Sequence, residues 1–304
     1  VKKYILLFGL GLQTLTSVVL GQKPNASVGT IDFIPAFSSH YVDARSVAIW
    51  LPRDYSPHKK YKVIYLHDGQ NLFDANITWN QQEWNIDEHL QHLIDEHTIE
   101  PCIAVGIWNN GAKRHVEYFP QKPFESLEEH FQDSLIQETK RNSETPMFTG
   151  KIYSDSYLLF ITKELIPYIR VHYNASDKAK DCIIAGASMG GLISWYAALE
   201  YPNYFGNAAC FSTHWPGIWP QDDPKRKIFT TFLSYAKQKT SKKTHWYFDH
   251  GTEGLDQYYD TYQKAIDALY ADHPHFKSQT FEGFDHSEKA WSHHFEQAII
   301  HLWK

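Results

Sequence analysis

The stretch Ile183-Ile-Ala-Gly-Ala-Ser188-Met-Gly-Gly191-Leu-Ile-Ser-Trp-Tyr-Ala-Ala-Leu-Glu200-Tyr-Pro202 decides the reading of this chain. It begins as a short apolar strand, Asp181–Ala187, and continues as a helix from Met189 that ends before Pro202. A lone serine sits between the two, flanked by Gly186, Ala187, Met189 and Gly190. G-x-S-x-G between a buried strand and a helix is the pattern of a nucleophile elbow. Small neighbours let so sharp a turn close, and the hydroxyl then stands above the carboxyl edge of the sheet. The N–H of Met189 points to where an oxyanion forms, at the positive end of the helix.

Working outward, "YKVIYLHDG" (61–69) and "PCIAVGIWNN" (101–110) read as further buried strands, with "NAACFSTHW", "THWYFDHGTE" and "FKSQTFEG" as three more. "TIDFIPAF" and "SVAIWLP" form an antiparallel lead-in pair. Helical spacing marks "WNIDEHLQHLIDEH", "SYLLFITKELIPYIRVHY" (kinked or ended at Pro167) and the closing "SEKAWSHHFEQAIIHLW". Apolar strands alternating with amphipathic helices predict a mostly parallel central sheet covered on both faces, an α/β fold. No repeat or linker divides the chain, so residues 22–304 read as one domain. The charged, weakly patterned stretch around 119–149 reads as an inserted lid.

The N-terminal "VKKYILLFGLGLQTLTSVVLG" has a basic start, an apolar run and small residues before Gln22, the features of a secretory signal peptide over 1–21. Export to the periplasm or the extracellular space is therefore expected. The formal charge of the 304-residue chain is -6. Loss of the leader removes Lys2 and Lys3 and no acid, which takes it to -8. An acidic protein with no basic cluster suits neither nucleic acid nor an anionic membrane surface. No stable membrane association is expected once the leader is gone. Cys102, Cys182 and Cys210 each lie in an apolar run and read as buried free thiols. The pairs His273/His275 and His293/His294 read as solvated. No cysteine or histidine spacing suggests a metal site, and His67-Asp68 gathers no further ligands, so neither metal nor organic cofactor is expected.

A nucleophilic serine needs a base, and the base needs an orienting acid, in the chain order Ser, Asp/Glu, His. His286, in a loop between the last strand and the last helix, is the expected base. For the acid, Asp256 is preferred over Glu253, and both follow the strand "HWYFDH"; Asp249 lies within that strand and Asp260 within a helix. The second oxyanion donor is expected from Gly69 or Gln70, beside that of Met189.

These stretches together resemble the "putative esterase" (esterase D-like) family of α/β-hydrolases, near its enterochelin, feruloyl and acetylxylan esterase branch. The resemblance rests on "YLHDGQNLFD", "QEWNID", "VGI" followed by Arg114, Glu117, Tyr118 and Pro120, "ELIPYI", "GASMGGLIS" and "HSEKAW", and it covers nearly the whole mature chain. It implies an α/β-hydrolase fold, Ser188 as nucleophile, His286 as base, and Met189 with Gly69 or Gln70 as oxyanion donors. At the acid the chain departs from several members, having Gly254 where they place an aspartate. Arg114 and Glu117 are read as a structural ion pair. Trp108, Asn109, His214 and Trp215 are read as pocket residues. The implied function is an exported serine esterase removing acetyl or feruloyl groups from a small-molecule or carbohydrate ester. A siderophore trilactone esterase, an acyltransferase and a non-catalytic carbohydrate-binding protein are the alternatives. Oligomeric state is not legible in these residues.

Overall fold

The computed structural model describes residues 21–303; the first 20 residues, where nearly all of the expected leader lies, fall outside them. Eight strands form one sheet: β1 (Thr30–Phe37), β2 (Arg45–Leu51), β3 (Lys62–His67), β4 (Cys102–Ile107), β5 (Cys182–Ala187), β6 (Asn207–Phe211), β7 (His245–Gly251) and β8 (Phe276–Phe281). Their spatial order is β1-β2-β4-β3-β5-β6-β7-β8. β1 and β2 run antiparallel to their neighbours and the other six strands are mutually parallel. This is the expected α/β-hydrolase arrangement, with the lead-in pair at one edge.

The helices are α1 (Ile86–Asp95), α2 (Arg114–Tyr118), α3 (Gln121–Glu125), α4 (Glu129–Glu138), α5 (Ser154–Leu159), α6 (Ile166–Tyr173), α7 (Met189–Glu200), α8 (Lys227–Lys239), α9 (Asp260–Tyr270) and α10 (Glu288–Trp303). Successive side chains of a strand face opposite ways, so β2 sends Val47, Ile49 and Leu51 to one core and Ala48 and Trp50 to the other. The first core is closed by α5–α9, the second by α1 and α10 through Leu90, Leu93, Phe295 and Ile299. Pro167 does not end its helix. The six residues Phe160–Leu165 ahead of it take a π-helical turn, joining α5 to α6. The wider turn accommodates a ring that cannot donate a backbone hydrogen bond. Helix α8 was not evident in the sequence.

The 119–149 segment folds as α3, α4 and a short turn in which Arg141 N–H donates to the Thr145 carbonyl. Phe119, Phe124, Leu135, Met147 and Phe148 anchor it in the first core. The three cysteines are buried and unpaired, as expected. No helix among the described residues is long and apolar enough to cross a membrane.

Two sequence expectations are corrected. Arg114 does not pair with Glu117. Glu117 takes Arg45 through two hydrogen bonds of 2.7 and 2.8 Å, with both side chains out of water, while Arg114 turns to Asp68. The partner was hidden because Arg45 is 72 residues away in the chain. His294 is fully buried instead of solvated, stacked on Phe281; His293 is exposed. The buried Arg45–Glu117 pair carries a stability prediction. Glu117→Gln leaves a guanidinium buried without its counter-charge, and should lower the unfolding free energy by about 3–5 kcal/mol in denaturant titration.

Candidate active site

At the carboxyl end of β5 the chain turns sharply into α7. Ser188 has φ 57° and ψ -122°, a conformation disfavoured for any residue with a side chain. The turn closes only because its neighbours are small. A Cβ on Gly186 would stand 2.7 Å from the Gly190 carbonyl carbon, and one on Gly191 2.4 Å from Thr213 Oγ1. The strain is held from outside by the end of β6 and the turn after it: Ser188 N–H donates to the Phe211 carbonyl at 3.0 Å, and the Ser188 carbonyl accepts from His214 N–H at 3.2 Å. The N–H of Met189 opens α7, where helical geometry supplies no partner.

The loop after β3 lies against this turn. A Cβ on Gly190 would meet Asp68 Oδ2 at 3.1 Å. Asp68 takes the left-handed conformation (φ 57°) and leads into a short 3-10 turn over Gly69–Asn71. Gly69 passes so close to β4 that a Cβ would fall 2.6 Å from the Gly106 carbonyl carbon. Asp68 is fixed by a bidentate ion pair with Arg114, Nε to Oδ1 and Nη2 to Oδ2 both 2.7 Å, and by Asn109 Nδ2 at 2.7 Å. Burial alone would raise its pKa, but the Arg114 charge and these hydrogen bonds bring it below the ordinary value. His67 next to it is buried, which pushes its pKa down to about 3, and its Nδ1 lies 2.8 Å from the Tyr157 hydroxyl. No cluster of metal-ligating side chains occurs among the described residues.

His286 stands in the loop between β8 and α10. That loop is sewn to the turn after β7 by Thr252 and Glu253 N–H groups, which donate to the Phe284 carbonyl at 3.0 and 2.9 Å. The stitching brings His286 Nδ1 to 2.6 Å from Asp256 Oδ1. Asp256 is wholly buried, and its other oxygen accepts Ser212 Oγ at 2.6 Å and Gly251 N–H at 2.7 Å. Burial pushes its pKa up, yet the hydrogen bond and charge of His286, with the two further donors, hold it below the ordinary value. Glu253 is exposed, and of the two expected acids it is Asp256 that hydrogen-bonds the histidine. The Glu288 carboxylate accepts Asn71 Nδ2–H and Asn80 Nδ2–H, while the Ser287 hydroxyl accepts the Ala290 N–H at the start of α10.

The four expected pocket residues separate. His214 lies beside the site, buried, stacked on Tyr259 with 4.9 Å between ring centroids, its Nε2 3.0 Å from the Ile218 carbonyl. Burial lowers its pKa to about 4, so the ring is neutral at pH 7. Trp215 is core instead: it is 1% exposed, donates Nε1–H to Gln263 Oε1, and packs on Trp195 and Phe248. Trp108 packs against Phe33 in the second core, and Asn109, half-buried, donates its Nδ2–H to Asp68 Oδ1. Residues that sequence reasoning passed over are Ser212, which holds the acid, and Tyr259, which walls the histidine at 6.1 Å between centroids. Neither carries a local signal, since each acts on a partner more than 25 residues away. A concavity of about 840 Å³ lined by Lys62, Glu100 and Trp303 lies at the opposite, amino edge of the sheet, and no strained nucleophile stands there.

Asp68 and Asp256 give a pH prediction. Each has a folded-state pKa below its unfolded value of about 3.9, so its stabilisation is complete above that value and is lost as pH falls through the folded pKa. The stability advantage of the wild type over Asp68→Asn should thus be constant from pH 5 to 7 and shrink below about pH 4, read from denaturant midpoints.

The model of the family described as "Putative esterase" matches residues 38–302. The chain belongs to this family. Bacillus subtilis YbbA, an uncharacterized protein, is 29% identical over 182 residues, 59% of this chain and 61% of its own. Endo-1,4-beta-xylanase Y of Acetivibrio thermocellus is 27% identical over 236 residues, 76% of this chain but 18% of the xylanase. Among solved structures, the enterobactin esterase of Shigella flexneri superimposes with TM-score 0.65 at 18% identity, covering 92% of this chain and 61% of that one. An IroE-like serine hydrolase from Shewanella oneidensis gives TM-score 0.66 at 19% identity, over 90% of this chain and 80% of that one. The chain thus spans about three fifths of the first curated relative and less than a fifth of the xylanase. The structural likenesses bear on the fold.

Proposed function

We propose that this protein is an exported serine carboxylic-ester hydrolase that works through an acyl-enzyme on Ser188. The observation that carries the reading is a strained serine at a helix N-terminus on the same sheet edge as a histidine held by a buried aspartate at 2.6 Å. In the reaction, His286 Nε2 takes the Ser188 proton as Oγ attacks the ester carbonyl, and Asp256 stabilises the imidazolium. The oxyanion is received by the N–H of Met189 and one from Gly69 or Gln70. Each such donor contributes about 3 kcal/mol to the transition state. The imidazolium protonates the leaving alcohol, and water, activated by His286, releases the acid. The 119–149 segment is the cap of this site, seated by Phe148 on His115.

Acetyl or feruloyl esters of carbohydrate are the favoured substrates. The relation to a xylanase polypeptide over three quarters of this chain supports them. The iron(III) enterobactin esterase of Escherichia coli, 26% identical over 152 residues, supports a second reading, a siderophore trilactone esterase. Against it, Arg114 beside the site is already neutralised bidentately by Asp68 and offers little to an anionic catecholate. Purified protein should hydrolyse acetylated or feruloylated xylo-oligosaccharides with a kcat/KM at least about tenfold above that for a tricatecholate trilactone, a gap of about 1.4 kcal/mol. The reverse order would establish the second reading. Export is tested by locating the full-length chain and the product of its expected cut before Gln22 in cell fractions.

A further inference from the structure

The turn that follows β6 touches both ends of the proposed triad. Phe211 and His214 hold the nucleophile turn by its N–H and its carbonyl. Between them Ser212, 1% exposed, has φ 39°, in the left-handed region where a side chain is uncomfortable. What keeps it there is Asp249. Ser212 N–H donates to the Asp249 carbonyl at 2.9 Å and to its Oδ1 at 3.2 Å. Asp249 is itself fully buried, with Oδ2 3.6 Å from Nδ1 of the buried His294. So anchored, Ser212 aims its hydroxyl at Asp256 Oδ2 at 2.6 Å.

We propose that Ser212 is a positioning residue for ester hydrolysis, holding the second oxygen of Asp256 so that the first stays on His286. This rests on the Ser188–His286–Asp256 reading. A carboxylate free to rotate about its last bond would share His286 between two oxygens. Ser212 Oγ and Gly251 N–H pin one oxygen from two directions and leave Oδ1 to the imidazole alone. With the hydroxyl gone, a buried anionic oxygen keeps one donor, which costs far more inside the protein than in water. The same turn carries the Phe211 carbonyl that fixes Ser188, so acid and nucleophile are set by one piece of backbone. Asp249 and His294 serve as the anchor of that turn.

The test uses Ser212→Gly and Ser212→Ala in the full chain. Glycine accepts φ 39° without strain and keeps both N–H bonds to Asp249, so Ser212→Gly removes the hydroxyl with the turn intact. Both variants should lose about 10- to 100-fold in kcat for 4-nitrophenyl acetate, the weight of a hydrogen bond to a buried charge, with KM nearly unchanged. Asp256 faces His286, Ser212, the Gly251 N–H and the Tyr259 phenol, with Asp249 behind Ser212; loss of one stabilising donor should move the acid limb of the kcat profile to higher pH. The downfield proton resonance of the His286–Asp256 hydrogen bond should weaken or broaden in both, a signal that needs no substrate. Ser212→Gly with wild-type kcat, acid limb and proton resonance would overturn the proposal and leave Ser212 a turn residue. Absence of Ser188-dependent turnover in the wild type would instead sink the esterase reading, and the proton resonance would still decide the role of Ser212.

Discussion

Ser188→Ala should reduce kcat for 4-nitrophenyl acetate by roughly 10,000- to 1,000,000-fold, with the protein still folded. The large loss follows because alanine keeps the turn, the helix N-terminus and the oxyanion donors but removes the atom that forms the acyl bond. What activity survives comes from the oxyanion site acting on water. A fall of less than tenfold would mean that another group attacks. The φ of 57° at this position adds a second, opposite effect. Ser188→Gly relieves the strain and should be more stable than Ser188→Ala by about 1 kcal/mol in thermal or denaturant unfolding, while being equally inactive.

Asp256→Asn should lower kcat by about 10,000-fold, because an amide donates where the carboxylate accepts and so favours the wrong tautomer of His286. The geometry makes the position sensitive. Asp256 is wholly buried and all three of its close partners are donors: His286 Nδ1, Ser212 Oγ and Gly251 N–H. An asparagine amide turns its NH2 either to the imidazole, which must then take the other tautomer, or to the Gly251 N–H, which has no acceptor to offer. Glu253→Gln is the control. Glu253 is exposed, three residues earlier, and should keep wild-type kcat within about twofold, as surface substitutions generally do. Equal losses in both variants would show that the acid is shared.

Much of the fold was legible because its signals are local. Each central strand is a short apolar run closed by Gly, Pro or a polar residue, and the elbow at Ser188 is written in six consecutive positions. His286 was readable from its place between a strand and a helix. What stayed illegible is set by distance along the chain. Asp256 was preferred over Glu253, but what sets it apart, its contact with His286, spans 30 residues and depends on the Phe284 carbonyl joining the β7 turn to the histidine loop. The partners of Arg114 and Glu117 proved to be Asp68 and Arg45, 46 and 72 residues away, although the motif that holds both was read as pairing them with each other. Trp215 was read as pocket because the branch it resembles has Trp-rich residues after this strand end, but its indole turns inward to Gln263 and the core. His294 was read as solvated together with His293; a period of 3.6 residues puts it on the inner face of α10 with Trp291, Ala298 and Leu302.

The central claim is a covalent intermediate on one oxygen atom. Its most direct test is rapid acid quench of the wild type during turnover of 4-nitrophenyl acetate, followed by mass spectrometry of the peptide that contains Gly186–Gly191. The account predicts one acetyl group on Ser188, absent in Ser188→Ala and chased away by further incubation in water. An acetyl group found elsewhere, or turnover at full rate with Ser188 never modified and its alanine variant still active, would contradict it.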